Sequence, residues 1–397
     1  MNIVVNNPAA TAVSAGAVAR HLGPNIGLVG RPGSRAALDT PCLVLDVRRL
    51  EANIATAVAI TSRRGVALRP HAKSHKCSAI AHRQVAAGAR GVCVATVGEA
   101  EALAGGGVAD ILVTSTVTQD SKLTRIAKLA ASGVAIAFVA DDPVMVDRAA
   151  AIAASNRVRI DVLVDVDLGR GRNGVTSVEQ AVVVAGRIAA APSLRFAGIQ
   201  AYASHISHVS GFAERRHLAG ISAARIAAIR RAIEAAGQPV PTITGGSTGT
   251  LTIDAELGPY TELQAGSYVF SDVEYATINL DGFRRQLFVP SLFVRVSVIG
   301  RNVEGRVTCD GGNKHFSAKG TLPGLVAPPA PGAWYRPDSD EHGILEVPCG
   351  YAQPVLGSGY ELVVPHCDPT VNLYDHYHVV DGDTLDDIWP IEGRGAF

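Results

Sequence analysis

The chain has 397 residues, 47% hydrophobic and 18% charged, with 36 basic residues balancing 36 acidic ones. That length supports two domains and a substantial core, and the lack of any basic excess or long basic run argues against nucleic acid or an anionic membrane surface as the main partner. Six cysteines (Cys42, Cys77, Cys93, Cys309, Cys349 and Cys367) are scattered without a CxxC pair, which favours a reducing, cytoplasmic setting over a disulfide framework.

The first stretch, from Met1 to about Arg35, is rich in Ala, Gly, Val and Pro, has no basic n-region, and is interrupted by Asn6-Asn7-Pro8. Residues 1–39 therefore read as a leader, partly mobile or packed on a later domain, rather than as a secretory signal. Farther along, no apolar run reaches the ~20 residues that would cross a bilayer.

From about Thr40 the chain alternates short β-branched runs with Ala-rich stretches of helical composition. The runs fall at 66–68, 92–96, 111–114, 135–139, 160–166, 196–202, 242–244 and 262–265, and the helical stretches at 79–87, 99–104, 123–131, 144–154, 178–191 and 215–236. Eight buried strands alternating with helices predict a parallel (β/α)8 TIM-like barrel over residues 40–280. A doubly wound open sheet is the alternative, weakened because no GxGxxG follows the first run. After about Leu280 the runs at 287–299, 304–309, 344–347, 361–364 and 376–380 follow one another without helices. Residues 281–397 are thus expected to form a C-terminal all-β domain, with 319–340, rich in proline, as a long irregular loop.

Reactive residue types cluster where these strands end. Arg69-Pro70-His71-Ala72-Lys73-Ser74-His75-Lys76 follows the first run. Its cations and partial burial would favour a neutral Lys73 amine able to form a Schiff base. After the fifth run, Gly169-Arg170-Gly171-Arg172-Asn173-Gly174-Val175 lets Arg172 reach a cofactor oxygen. After the sixth come Tyr202, His205 and His208, and the eighth runs into Gly266-Ser267-Tyr268. The seventh ends in Gly245-Gly246-Ser247-Thr248-Gly249-Thr250, whose N–H groups and hydroxyls could cradle a phosphate monoester. A covalent lysine opposite such a cradle describes a pyridoxal 5′-phosphate site. In the β domain, Pro365-His366-Cys367-Asp368-Pro369 places His366 and Asp368 two apart. If the segment is extended, both face one way and Cys367 the other, a pair suited to Mn²⁺, Mg²⁺, Co²⁺ or Zn²⁺. A plain surface turn and Zn²⁺ held by His366 with Cys367 are the competing readings.

Taken together, these motifs, with Thr40-Pro41-Cys42-Leu43-Val44-Leu45-Asp46, Gln200-Ala201-Tyr202 and Asp340-Glu341-His342-Gly343, resemble the D-threonine aldolase and D-serine dehydratase family. Its members are metal-activated pyridoxal-phosphate enzymes with the alanine-racemase type of barrel plus β domain. The resemblance runs from Thr40 to the C-terminus. It implies that Lys73 carries the cofactor, that Arg172 contacts its ring, and that the Gly245–Gly249 turn and Tyr268 lie on its phosphate side. It further implies that His71, Tyr202 and Gly266 line the same pocket, that His366 and Asp368 hold the metal, Mn²⁺ or Mg²⁺ first, and that His208 is the base facing the substrate hydroxyl. His205 leaves that last assignment open. Dehydratase members tend to carry Cys at the second metal position and aldolase members Asp, so Asp368 favours an aldolase that cleaves D-threonine or 3-hydroxy-D-aspartate to glycine and an aldehyde. A D-serine or D-threo-3-hydroxyaspartate dehydratase, giving a 2-oxo acid and ammonia, is the alternative. A non-catalytic cofactor-binding protein is disfavoured, because such proteins are single barrels. A homodimer is expected from the two-subunit sites common in this fold type.

Overall fold

The computed structural model describes residues 22–317 and 321–397. Strand β1 (Cys42–Asp46) leads into a helix, Val47–Ser62, capped by the Asp46 side chain, which accepts from the Arg49 N–H at 3.2 Å. Eight strands follow: β2 (Ala67–Leu68), β3 (Val92–Val94), β4 (Asp110–Val113), β5 (Ala135–Ala140), β6 (Ile160–Val166), β7 (Leu194–Ala201), β8 (Thr242–Gly245) and β9 (Glu262–Leu263). They form one parallel sheet in the order β2-β9-β8-β7-β6-β5-β4-β3, so each run expected from sequence overlaps a barrel strand. Helices lie between successive strands from β3 to β9, the longest being Phe212–Ala235.

Alternation along the strands sorts their side chains. Val92 and Val94, Ile111 and Val113, and Val162 and Val164 belong to the main core, whereas the residues between them, Cys93, Leu112 and Leu163, join Val139 in a small separate cluster. This is the period-2 pattern of a sheet packed on both faces. The curled sheet closes between β2 and β3 through Arg90 N–H to Leu68 O and Cys93 N–H to Pro70 O, both 2.8 Å, and a bridge pairing His71 with Cys93. Closure thus occurs two residues before Lys73.

The second sheet contains β10 (Leu292–Val303), β11 (Arg306–Cys309), β12 (Gly324–Leu325), β13 (Trp334–Pro337), β14 (Gly343–Glu346), β15 (Gly359–Val363), β16 (His376–Asp381) and β17 (Thr384–Pro390). Residues 42–46, read with the barrel from sequence, lie in this sheet instead: β1 runs antiparallel to β10 and parallel to β16. Five consecutive buried residues, Cys-Leu-Val-Leu-Asp, satisfy either sheet, and only the tertiary partner decides. The proline-rich stretch expected as irregular also contains β12 and β13, pinned by backbone pairing to β15 and β14; residues 319–320 of it lie outside the described residues. Of the leader, residues 22–39 pack on the second sheet. Arg35 forks onto Glu361 (2.8 and 2.6 Å), Gly30 N–H donates to Leu385 O, and Leu22, Ile26 and Leu28 cover Val44, Phe293 and Leu385. Residues 1–21 lie outside the described residues. Among the described residues, no helix is long and apolar enough to cross a membrane.

Candidate active site

Lys73 sits in a three-residue turn, Ala72–Ser74, capped by His71. His71 Nδ1 accepts from the Lys73 N–H at 3.3 Å, and its Nε2 lies 3.0 Å from Thr114 Oγ1. The Thr114 hydroxyl donates to Val94 O at 3.0 Å, so His71 Nε2 is the donor and one tautomer is selected. Burial, reinforced by the Lys73 charge, pushes the His71 pKa well down and leaves the ring neutral.

Lys73 Nζ is 3.3 Å from Asp368 Oδ2. That carboxylate is the main influence on the amine and, against burial, raises its pKa, which reverses the expectation of an amine kept neutral by neighbouring cations. The reason is direction. Arg69 pairs with Asp110 (2.6 Å) and Glu262 (2.8 Å) among the charges at the start of the barrel strands, and Lys76, at φ 53, donates to Glu99 Oε1 at 2.5 Å. Burial alone would raise the Asp368 carboxyl, but Lys73 and His366 outweigh it and hold its pKa below the usual value.

The glycine turn after β8 lies beside the same cavity, which Gly246, Ser247, Thr248, Gly266, Ser267 and Lys73 line together. Glycine is required at two points of it: a Cβ on Gly245 would stand 1.9 Å from Ala201 O, and one on Gly249 1.9 Å from Ser207 O. The Thr248 hydroxyl accepts from the Tyr268 N–H at 3.1 Å, and Ser247 and Thr250 hydroxyls pair at 3.0 Å. The N–H groups of Thr248, Gly249 and Ser267 donate to no protein acceptor among the described residues, and Ser207 Oγ beside Gly249 is buried without a partner. Unsatisfied donors at the C-terminal end of a barrel strand suit a phosphate dianion, so this end fits pyridoxal phosphate. The phenol of Tyr268, expected on the phosphate side, points elsewhere: it accepts from Gln84 Nε2 at 3.1 Å and its ring packs on Phe288. Its contribution to the turn is its backbone N–H.

Arg172 and Tyr202 both line the cavity, the guanidinium 5.9 Å from the tyrosine ring centre. Beneath them, Gln200 Nε2 donates to Asp165 Oδ1 (2.9 Å) and Gln264 Nε2 to Gln200 Oε1 (3.2 Å). Burial lifts the Asp165 pKa to about 6.

The His366-Cys367-Asp368 run is not extended. His366 caps a short helix, Cys367–Val371, so strand alternation does not apply. Cys367, expected to face away, is buried with its Sγ 3.4 Å from Asp368 Oδ1. Donor atoms of Asp272, His366 and Cys367 lie within 4.8 Å of one another, while Asp368 is directed at Lys73. Imidazole among carboxylates and a thiol is a donor set that fits a divalent first-row cation. Glu274 Oε2 stands 3.4 Å from His366 Nδ1 and 3.9 Å from His208 Nδ1, and His208 packs on Tyr275 at 4.8 Å. His205 lies instead toward Gly169. Sequence reasoning missed Asp272, Glu274 and Tyr275. Their one signal was a pair of carboxylates two apart, just beyond Gly266-Ser267-Tyr268, which nothing in one chain segment connects to residue 366.

Residues 45–273 match the family described as alanine racemase, N-terminal domain, and residues 291–380 match the serine dehydratase domain. The chain is similar to a D-threonine aldolase of Arthrobacter sp. (38% identity over 92% of this chain and 95% of the relative). It is also similar to a 3-hydroxy-D-aspartate aldolase of Paracoccus denitrificans (strain Pd 1222), at 34% identity over 92% and 94% of the two chains. Among solved structures, D-threonine aldolase from Filomicrobium marinum superposes with a TM-score of 0.87 at 36% identity, covering 91% of this chain and 97% of the other.

Proposed function

The chain belongs to the D-threonine aldolase and D-serine dehydratase family, enzymes of the alanine-racemase type, and we propose that it is a pyridoxal-phosphate-dependent carbon–carbon lyase. Its substrates in this reading are D-3-hydroxy amino acids of the D-threonine or 3-hydroxy-D-aspartate type, and its products glycine and an aldehyde. The observation that carries the reading is the 3.3 Å approach of Lys73 Nζ to Asp368 Oδ2, which joins a covalent-anchor lysine to the His366 cluster across one pocket.

The chemistry a bound pyridoxal phosphate supplies is an electron sink for the pair left on Cα when Cα–Cβ opens. A divalent cation, Mn²⁺ or Mg²⁺ ahead of Co²⁺ or Zn²⁺, would be held by His366 and Asp368 and supply positive charge to the substrate's β-hydroxyl. The chain's own residues do the rest. Lys73 is the attachment point for the cofactor and, once released, an amine that returns a proton to Cα. The N–H groups of Thr248, Gly249 and Ser267 would hold the phosphate, and neutral His71 and Arg172 would help hold the rest of the cofactor in the same cavity. His208 takes the hydroxyl proton, and Glu274 beside it steadies the charge the ring acquires. Aspartate at 368, the aldolase pattern, favours breaking Cα–Cβ over expelling the hydroxyl. We take the working unit to be a cytoplasmic homodimer, in keeping with the fold type and with six unpaired cysteines.

The deciding experiment incubates enzyme, cofactor and Mn²⁺ with D-threonine and with 3-hydroxy-D-aspartate, and measures glycine plus aldehyde separately from 2-oxo acid plus ammonia. The proposal expects the first pair of products. Oxo acid and ammonia without glycine would transfer the chain to the dehydratase reading.

A further inference from the structure

Resting on the proposed metal pair of His366 and Asp368, we propose that Asp272 is the positioning residue of that centre, holding the His366 ring so that Nε2 is the nitrogen presented to the cation. Asp272 is fully buried. Its Oδ1 accepts from the Tyr275 N–H at 3.0 Å, and its Oδ2 accepts from the Cys367 N–H at 2.9 Å and faces His366 Nδ1 at 3.1 Å. A carboxylate receiving N–H donors on both oxygens is an ionised acceptor, so the proton of its contact with the imidazole sits on His366 Nδ1. Only Nε2 then keeps a lone pair. A ligating histidine whose other N–H is anchored on a carboxylate has its orientation fixed and its basicity raised.

The backbone around Asp272 makes this mount rigid. Val273 N–H donates to Val364 O (3.1 Å) and Glu274 N–H to Pro365 O (3.3 Å), so the segment leaving the barrel runs alongside the segment that carries His366. Asp272 Oδ2 takes both the Cys367 amide and the His366 ring, so in this arrangement that oxygen holds the imidazole. Glu274 approaches the same nitrogen from a longer 3.4 Å and is part-exposed; it faces His208 as well, and so cannot impose one ring orientation. Cys367 Sγ is turned toward Asp368.

The test is Mn²⁺ titration by calorimetry into metal-free holoenzyme of the wild type, Asp272→Asn and His366→Ala. Asparagine keeps an acceptor for one of the two backbone amides and removes the charge. Asp272→Asn is expected to keep the cofactor's visible band while binding Mn²⁺ about 10–100-fold more weakly; His366→Ala should lose the site. If Asp272→Asn binds Mn²⁺ as tightly as the wild type while His366→Ala does not bind, the positioning role is overturned and the metal reading survives. If His366→Ala binds like the wild type, the metal reading falls and this proposal with it. A second measurement does not depend on the variant folding: ¹⁵N-histidine spectra of the metal-free wild type, with the His366 signal identified by its loss in His366→Ala, recorded at a pH where the ring is neutral. The proton is expected on Nδ1, and a proton on Nε2 would overturn the proposal.

Discussion

At the barrel end of the pocket every group comes from a loop directly after a strand: Lys73 beyond β2, Tyr202 beyond β7, and the Gly245–Thr250 turn at the end of β8. At the other end, Asp272 meets His366 across 94 residues of sequence, and two segments that belong to neither sheet's regular pairing hold each other by backbone hydrogen bonds. The first end is a set of local devices on a rigid ring, whereas the second exists only when barrel and β sheet are docked. The two should therefore fail differently. Damage at the barrel end removes the cofactor, and damage at the seam leaves the cofactor in place and removes the chemistry.

The largest expected effect tests the barrel end. Lys73→Ala should abolish the borohydride-stable cofactor adduct and cut kcat by at least ~10³-fold, the scale of losing a covalent group that acts as a unit with its neighbours. Recovery of the reduced cofactor on Lys76 would break the comparison, because Lys76 points away to Glu99. At the seam, Asp368→Ala should keep the visible band and lose ~10²-fold or more in turnover, without rescue by added Mn²⁺. Loss of colour in that variant would mean that the two ends are not separable. Next comes His208→Ala, expected to hold its cofactor and lose ~10²-fold in kcat, with His205→Ala doing less. The reverse ranking would move the base to the His205 side, near Gly169.

How much of this was legible follows from where the information resides. From β3 to β8 the barrel strands could be read because each is a short run with β-branched residues followed by a helix of its own composition, whereas β2 and β9 are two residues long and carry none. Lys73, Arg172 and the glycine turn could be read because the barrel concentrates function at strand ends. Strand β1 carries no mark of which sheet it joins, and β12 and β13 are set by partners rather than by pattern. The protonation of Lys73 was misread because proximity in sequence was taken for proximity of charge, when Arg69 and Lys76 turn away and Asp368 turns in. Cys367 was misdirected because an extended segment was assumed where a helix begins. Asp272 and Glu274 lay beyond reach, since no local pattern announces a partner on another domain.

A readout independent of turnover probes stability beneath the glycine turn. Burial raises the Asp254 pKa from 3.8 to about 7 while Thr250 donates to it. A carboxyl whose folded pKa lies above its unfolded one binds more protons when folded, so its contribution is greatest below pH 4, falls as pH rises toward 7, and is flat beyond. Asp254→Asn should gain in melting temperature relative to the wild type between pH 4 and pH 7, by up to ~4 kcal/mol in free energy before allowance for the altered Thr250 bond. A pH-independent difference would mean that Asp254 is ionised throughout.

The most direct test of the division between the two ends is chelation of the wild-type holoenzyme, verified metal-free by elemental analysis, with D-threonine as substrate and the visible band recorded throughout. The account predicts that the band persists, that glycine and aldehyde formation stops, and that Mn²⁺ restores it. Cleavage at the full rate by metal-free enzyme would contradict it, and would reduce the His366-Cys367-Asp368 run to a structural turn.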